Sequence, residues 1–249
     1  MSGHSKWSTI KRQKGTNDQK RGQIFTKLAN AIIIAIKTNG GIFNPDDNFK
    51  LRLVMEKAKA VNMPKENIQR AIEKAKGSLA SDLQEIVYEG FGPLGTAILI
   101  ETATDNRQRT VQELKNLFEK MGGNLGSPGS TGYLFQNLGQ IIVNKNGKTG
   151  EEIMDQAIEA GASDLEEVGD EVIIYTKPAD LHGVSEKLKA KDLVIIEAAL
   201  TFKPISTIPV LNLDDAQRML NFMDQIEDNE SVQHVFANFE ISDEILKQL

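Results

Sequence analysis

From residue 24 onward, apolar side chains recur at helical spacing: Ile24, Phe25, Leu28, Ala31, Ile32, Ala35 and Ile36 stand three and four positions apart. The spacing predicts a long helix over 17–38, stopped by Asn39-Gly40-Gly41. Ile33 and Ile34 fall off that stripe, which implies a helix covered on more than one side. Asn44-Pro45-Asp46-Asp47 predicts the start of a second helix, with an Asn cap, Pro at the first helical position and two acids near the positive end of the dipole. Leu51, Val54, Met55 and Ala58 form its apolar stripe. Asn62-Met63-Pro64 breaks that helix and opens a third, with Ile68, Ala71, Ile72 and Ala75 inward and Gly77 as the stop.

Beyond 78–84 the period changes from helical to extended. Strands are predicted over 85–91 and 96–102, flanking the turn Gly92-Pro93-Leu94-Gly95. Asp105 or Asn106 caps a helix over 107–121, with Val111, Leu114, Phe118 and Met121 inward. A Gly- and Ser-rich loop over 122–132 leads back to strand at Tyr133-Leu134-Phe135. Residues 140–203 then read strand, helix, strand, turn, strand, helix, strand. That βαββαβ order is the ferredoxin-like pattern, an antiparallel four-stranded sheet with two helices on one face. After Pro204 and Pro209 come a helix over 213–227 and a strand over 232–239. The economical partner for these last elements is the pair of strands in 85–102. The expected fold class is therefore multidomain α and α+β. It comprises an N-terminal three-helix domain (1–78), an α+β domain (79–136 plus 204–249), and a ferredoxin-like βαββαβ domain (137–203) inserted in the second.

Charge changes the picture at the N-terminus. The chain as a whole has 29 Lys+Arg against 35 Asp+Glu, a net charge of −6. Residues 1–77 hold 16 basic and 6 acidic side chains (+10), and residues 78–249 hold the other 13 basic and 29 acidic (−16). A basic module joined to an acidic body points to binding of a polyanion confined to one end. The cations concentrate in an arm, where Lys6, Lys11, Arg12, Lys14, Lys20, Arg21 and Lys27 face one acid, Asp18. Trp7 and Ile10 are the arm's few apolar groups. Lys and Arg supply phosphate contacts, and Trp7 offers a stacking face for an unpaired base. Two other readings remain open: a solvated basic tail, and docking of Trp7 and Ile10 onto the helices.

Arg107 and Arg109 follow a helix cap, where phosphate contact at the helix N-terminus is the functional alternative to simple capping. The loop at 122–132 is no Walker loop, since no Gly-Lys-Ser/Thr follows it. The Gly-x-x-Gly at 126–129 contains Pro128, which removes one amide donor, so it is either a tip that probes RNA or a plain turn. His4, His182 and His234 are isolated, without metal-ligand spacing, and no nucleophile elbow stands out. With no cysteine in the chain, disulfides and Cys-ligated metals are excluded. The longest strongly apolar run, 31–36, is far short of the ~20 residues that span a bilayer. No catalytic residue, cofactor, metal or small-molecule substrate is expected.

Five blocks carry a resemblance: Gly3-His4-Ser5-Lys6-Trp7-Ser8-Thr9-Ile10-Lys11, Lys20-Arg21-Gly22-Gln23-Ile24-Phe25-Thr26-Lys27-Leu28, Lys57-Ala58-Lys59-Ala60-Val61-Asn62-Met63-Pro64-Lys65-Glu66-Asn67-Ile68, Tyr88-Glu89-Gly90-Phe91-Gly92-Pro93 and Thr104-Asp105-Asn106-Arg107. In this order they resemble the YebC/PmpR family, to which the mitochondrial translational activator of cytochrome oxidase also belongs. The resemblance runs from end to end. It implies three domains, the third ferredoxin-like and inserted in the second. It also implies a cytoplasmic regulator, described either as a DNA-binding transcription factor or as a ribosome-associated factor that relieves stalling.

The expectation is a non-enzymatic, cytoplasmic, monomeric regulator that binds nucleic acid and no membrane. Its candidate contacts are Lys6, Trp7, Lys11, Arg12, Lys14, Lys20, Arg21, Lys27, Arg107 and Arg109. A flexible arm with one aromatic suits irregular, partly unpaired RNA on a ribosome. The alternative is duplex DNA, for which a recognition helix and a symmetric dimer would be the usual equipment.

Overall fold

The computed structural model describes residues 21–77, 82–246 and 248. The chain is of mixed α/β, multidomain build. It divides into two compact units, one of Phe135–Lys203 and one whose chain runs up to Leu134 and resumes at Pro204.

In the discontinuous unit, helix α1 (Arg21–Thr38) packs against α2 (Phe49–Ala60) and α3 (Lys65–Lys76). Leu28, Ile32, Ala35, Ile36, Leu51, Ala58, Ile68 and Ala71 bury the shared core. Gly40 and Gly41 take left-handed φ of 66° and 79°, and the Gly41 amide donates to the Ile36 carbonyl at 2.9 Å, which closes α1. The second helix starts later than its sequence signals, at Phe49 with Asn48 as the cap. Asn44 instead organises a turn, its Oδ1 accepting from the Asp46 amide at 3.2 Å. Asn48 wins because its amide group also donates to the Ala35 carbonyl in the last turn of α1 (3.0 Å) and to the Ile42 carbonyl in the loop that follows (2.9 Å).

Strands β1 (Gln84–Phe91) and β2 (Ala97–Thr104) form an antiparallel hairpin that pairs Phe91 with Ala97 and Gln84 with Thr104. The short β3 (Asn124–Leu125) extends the sheet beside β1, and β9 (Val232–Ala237) extends it antiparallel to β2. The sheet order is β3-β1-β2-β9. Helices α4 (Arg107–Met121) and α7 (Leu213–Glu227) supply Leu114, Phe118, Met219, Phe222, Met223 and Ile226 to a core with Tyr88, Ile98 and Ile100. Phe118 and Phe222 meet edge to face at 5.0 Å. Gly90 has no room for a side chain, because a Cβ there would lie 2.6 Å from Phe118 and 2.8 Å from the Asn124 carbonyl. Ile33 and Ile34, the residues off the α1 stripe, are 1% and 5% exposed and cluster with Leu83 and Ala103. The strand expected over 232–239 breaks at Asn238, whose buried Oδ1 accepts from the Ala97 amide at 2.7 Å. Beyond it β10 (Phe239–Ile241) pairs in parallel with β8 (Ile208–Val210), and a short α8 (Asp243–Leu246) follows.

In the continuous unit the order is β4 (Phe135–Asn144), α5 (Gly150–Ala160), β5 (Asp164–Val168), β6 (Glu171–Thr176), α6 (Leu181–Ala190) and β7 (Val194–Pro204). The sheet order is β5-β6-β4-β7, with β6 antiparallel to both β5 and β4. Thr149 and Glu152 close a reciprocal capping box at the start of α5. Helices α5 and α6 pack on each other, on β6 and on β4. Leu138, Ile142, Val168, Ile173 and Tyr175 form a separate buried cluster.

Candidate nucleic-acid interface

Six of the sequence-derived contact residues, Lys6, Trp7, Lys11, Arg12, Lys14 and Lys20, lie outside the described residues. Arg21 is exposed and opens α1. Lys27 is half-buried, and its Nζ donates to the backbone oxygen of Glu227 at the end of α7. A cation at a helix C-terminus is favourable, so Lys27 ties α1 to α7.

Arg107 and Arg109 sit in the first turn of α4. Of the two expected caps, Asn106 serves: its Oδ1 accepts from the Arg109 amide at 3.0 Å. Asp105 instead takes the Arg109 guanidinium at 2.8 Å, and Glu113 lies 3.9 Å from the same group. These are exposed pairs, worth ~1 kcal/mol or less. Arg107 is exposed, and its backbone oxygen accepts from the Tyr88 hydroxyl at 3.4 Å. Burial pushes the Tyr88 hydroxyl above its usual range, with the Arg107 charge pulling weakly the other way.

The Gly-rich loop has its amides occupied from within the chain. The Glu89 carboxylate accepts from the amides of Gly129, Thr131 and Gly132, each at 2.7 Å. The Thr131 hydroxyl donates to the Ile98 carbonyl at 3.1 Å, and the Gly126 amide donates to the Glu89 carbonyl at 2.8 Å. Burial raises the Glu89 pKa, but the three amides and the Thr131 hydroxyl outweigh it and hold the carboxyl below its ordinary 4.5. The loop's amide nest therefore already holds an anion. The signal for this was present in the sequence as an acid on an apolar strand, facing a Gly-Ser-Pro-Gly segment with amides to spare.

A feature absent from the sequence reading lies between α1 and α3. A groove of about 440 Å³ has the partly exposed Phe25 and Ala29 on its floor, with Ile33, Met63 and Ala71 buried beneath them. Thr26, Asn30, Asn67, Arg70 and Lys74 form its rim, and Gly22 lies at its mouth. The Arg70 guanidinium donates to Asn67 Oδ1 at 2.8 Å. Elsewhere on the helical face Lys50 meets Glu85 at 3.0 Å, Arg52 lies 3.8 Å from Asp46, and Lys76 sits 5.0 Å over the Phe43 ring. Among the described residues Lys59, Lys65, Arg70, Lys74 and Lys76 form no salt bridge with a carboxylate. The same residues contain no group of three or more His, Asp or Glu placed to hold a metal ion, and no helix long and apolar enough to cross a membrane.

Residues 5–78 match the model of the TACO1/YebC protein N-terminal domain, and residues 83–239 match that of the TACO1/YebC second and third domain. The chain belongs to the TACO1/YebC family. A relative from Acidithiobacillus ferrooxidans, named "Probable transcriptional regulatory protein", is 45% identical over 100% of this chain and 98% of its own. One from Aquifex aeolicus, with the same name, is 43% identical over the full length of both. The crystal structure of a conserved hypothetical protein from Aquifex aeolicus superposes with a TM-score of 0.82 at 41% identity, covering 92% of this chain and 94% of that one. The N-terminal domain match takes in most of the basic arm, and it takes in α1, α2 and α3 entire.

Proposed function

We propose that the protein is a non-enzymatic regulator of gene expression that grips nucleic acid through its basic arm and helical face. The observation that carries this reading is the charge partition, +10 over residues 1–77 against −16 over the remainder. The exposed, carboxylate-free Lys59, Lys65, Arg70 and Lys74 put part of that excess on the surface of α2 and α3. Family relatives named as transcriptional regulators agree with a nucleic-acid partner. Lys6, Lys11, Arg12, Lys14, Lys20 and Arg21 supply phosphate contacts and Trp7 a stacking face. Arg107 joins them from its exposed position, and Arg109 by exchanging its weak surface ion pairs with Asp105 and Glu113 for phosphate.

The helical face, the discontinuous sheet and the 135–203 unit act as three domains, the last of them ferredoxin-like, in a cytoplasmic monomer. The target is structured RNA with unpaired segments, as on a ribosome, where the protein assists translation. The relatives' names favour a second reading, duplex DNA at promoters. Sedimentation with ribosomes at two salt concentrations, beside duplex-DNA binding in the same buffers, separates the two. Co-sedimentation that disappears when residues 1–20 are removed is the expected result. Sequence-dependent duplex binding that survives physiological salt, without ribosome association, would replace it with the DNA reading.

A further inference from the structure

We propose that the groove between α1 and α3 is a subsite for one unpaired nucleotide, its base on the apolar floor and its flanking phosphates on Arg70 and Lys74. The inference rests on the nucleic-acid reading above and deepens it by naming the form of ligand the helical face takes. At about 440 Å³ the groove falls within the roughly 300–1,000 Å³ of small-ligand pockets. It is a shallow groove open to solvent, with a lining about as polar as it is apolar. Phe25 gives an aromatic surface, while Ala29 and Ala71 leave the space above the floor open.

The rim groups suit a nucleotide. The Asn30 amide both donates and accepts, as a base edge or ribose hydroxyl requires; Asn67, whose Oδ1 holds Arg70, keeps its amide N–H groups to donate, and the Thr26 hydroxyl, which donates to the Gly22 carbonyl at 3.1 Å, can still accept. Arg70 and Lys74 stand one helical turn apart on α3, so their cations align along one wall. Among the described residues no carboxylate lines the groove. Glu66 and Glu73 lie with Gln69 on the other flank of Arg70 and bound the positive strip on that side.

A duplex keeps its bases stacked inside and has nothing to insert between two packed helices, whereas a splayed-out base fits such a cleft. Gly22 at the mouth follows Arg21, which opens α1. A strand seated in the groove thus meets cations on the wall and at the entrance.

Fluorescence anisotropy on the full chain tests this with a short single-stranded RNA, the DNA strand of the same sequence and an RNA duplex, at about 50 and about 200 mM salt. Thr26→Phe fills the mouth from an exposed rim position. It should weaken binding of the single strands about tenfold, leaving their salt slope and the duplex affinity unchanged. Arg70→Ala with Lys74→Ala should reduce the salt slope by about 1.4, two single-strand phosphate contacts. Asn30→Ala serves as the second groove variant if thermal melts show that Thr26→Phe does not fold, and it should weaken single strands severalfold. Preference for RNA over the DNA strand, lost in Asn30→Ala, would assign Asn30 to the ribose hydroxyl; equal affinity would assign it to the base edge. Unchanged single-strand affinity in a folded groove variant, or an equal loss for single strand and duplex, overturns the subsite and leaves the regulator reading standing. Absence of binding to any of the probes by the unaltered protein overturns both.

Discussion

Asn48 is fully buried, and its side chain serves three backbone groups at once. Its Oδ1 caps α2 through the Leu51 amide at 3.0 Å, while its Nδ2 satisfies the Ala35 and Ile42 carbonyls. Removing it strips a cap worth ~1 kcal/mol and leaves buried carbonyls whose desolvation costs roughly 1–3 kcal/mol. Asn48→Ala should therefore lower unfolding free energy by about 2–4 kcal/mol in urea titration; a loss below about 0.5 kcal/mol would show that water replaces the amide. Glu89 acts in the same way on the Gly-rich loop, but through charge. Its folded pKa lies below 4.5, so its contribution is fully present above that value and fades as pH falls through the depressed pKa. Protection of the Gly129, Thr131 and Gly132 amides, taken as exchange relative to the intrinsic rate at the same pH, should fall about tenfold or more in Glu89→Gln at neutral pH, and in the unaltered protein as pH drops below the usual carboxylate range. Exchange that is indifferent to both changes would mean that the loop is held by its other contacts, chiefly Thr131 to Ile98.

At the scale of elements, the stabilising devices are local where the chain turns and non-local where strands end. Lys203, at the end of β7, reaches Asp164 at 2.7 Å and Glu166 at 2.8 Å and sits 4.0 Å over the Tyr175 ring. Burial alone would depress its pKa, but the two carboxylates reverse that and raise it. Glu166 is only 11% exposed, so Lys203→Met would leave it nearly uncompensated, whereas Asp164 stays in solvent. The expected cost is about 2–3 kcal/mol, under the 3–5 kcal/mol of a fully buried pair. A double variant that also carries Glu166→Gln should recover part of it, a coupling that thermal or urea unfolding can measure.

The same division governs how much was legible in the sequence. The helices over 107–121 and 213–227 were legible, the first from its apolar period and its Asp105 or Asn106 cap, and their observed bounds agree with the expected ones. The start of α2 was not legible: the sequence pointed to Asn44, and the choice of Asn48 depends on the Ala35 and Ile42 carbonyls, which only the fold brings to it. Strand β8 was missed because it is three residues long, contains Pro209 and exists only by pairing with β10. At the candidate site, the cation run of the arm can be read directly from residue types. The groove cannot, since its floor and rim come from helices some forty residues apart and its polar groups are the neutral Thr26, Asn30 and Asn67.

At the scale of the whole molecule, the chain leaves the discontinuous unit at Leu134 and re-enters it at Pro204. The two ends are neighbours, for the Ile205 amide donates to the Leu134 carbonyl at 2.9 Å. Unit 135–203 also buries a cluster of its own around Ile173 and Tyr175. A chain in which 135–203 is replaced by a short Gly/Ser bridge should therefore keep the β1-β2-β9 pairing, since closing a short loop costs little entropy. Arm, helical face and groove all lie in what remains, so nucleic-acid affinity and its salt slope should persist within about twofold if the basic end alone makes the grip. Triple replacement of Lys11, Arg12 and Lys14 by Ala in either form should flatten the slope by about 2, the value for three single-strand phosphate contacts. A shortened chain that folds, as shown by a cooperative melt, yet loses its affinity would place part of the binding surface on the acidic unit. Charge partition would then be the wrong guide to where this protein holds its partner.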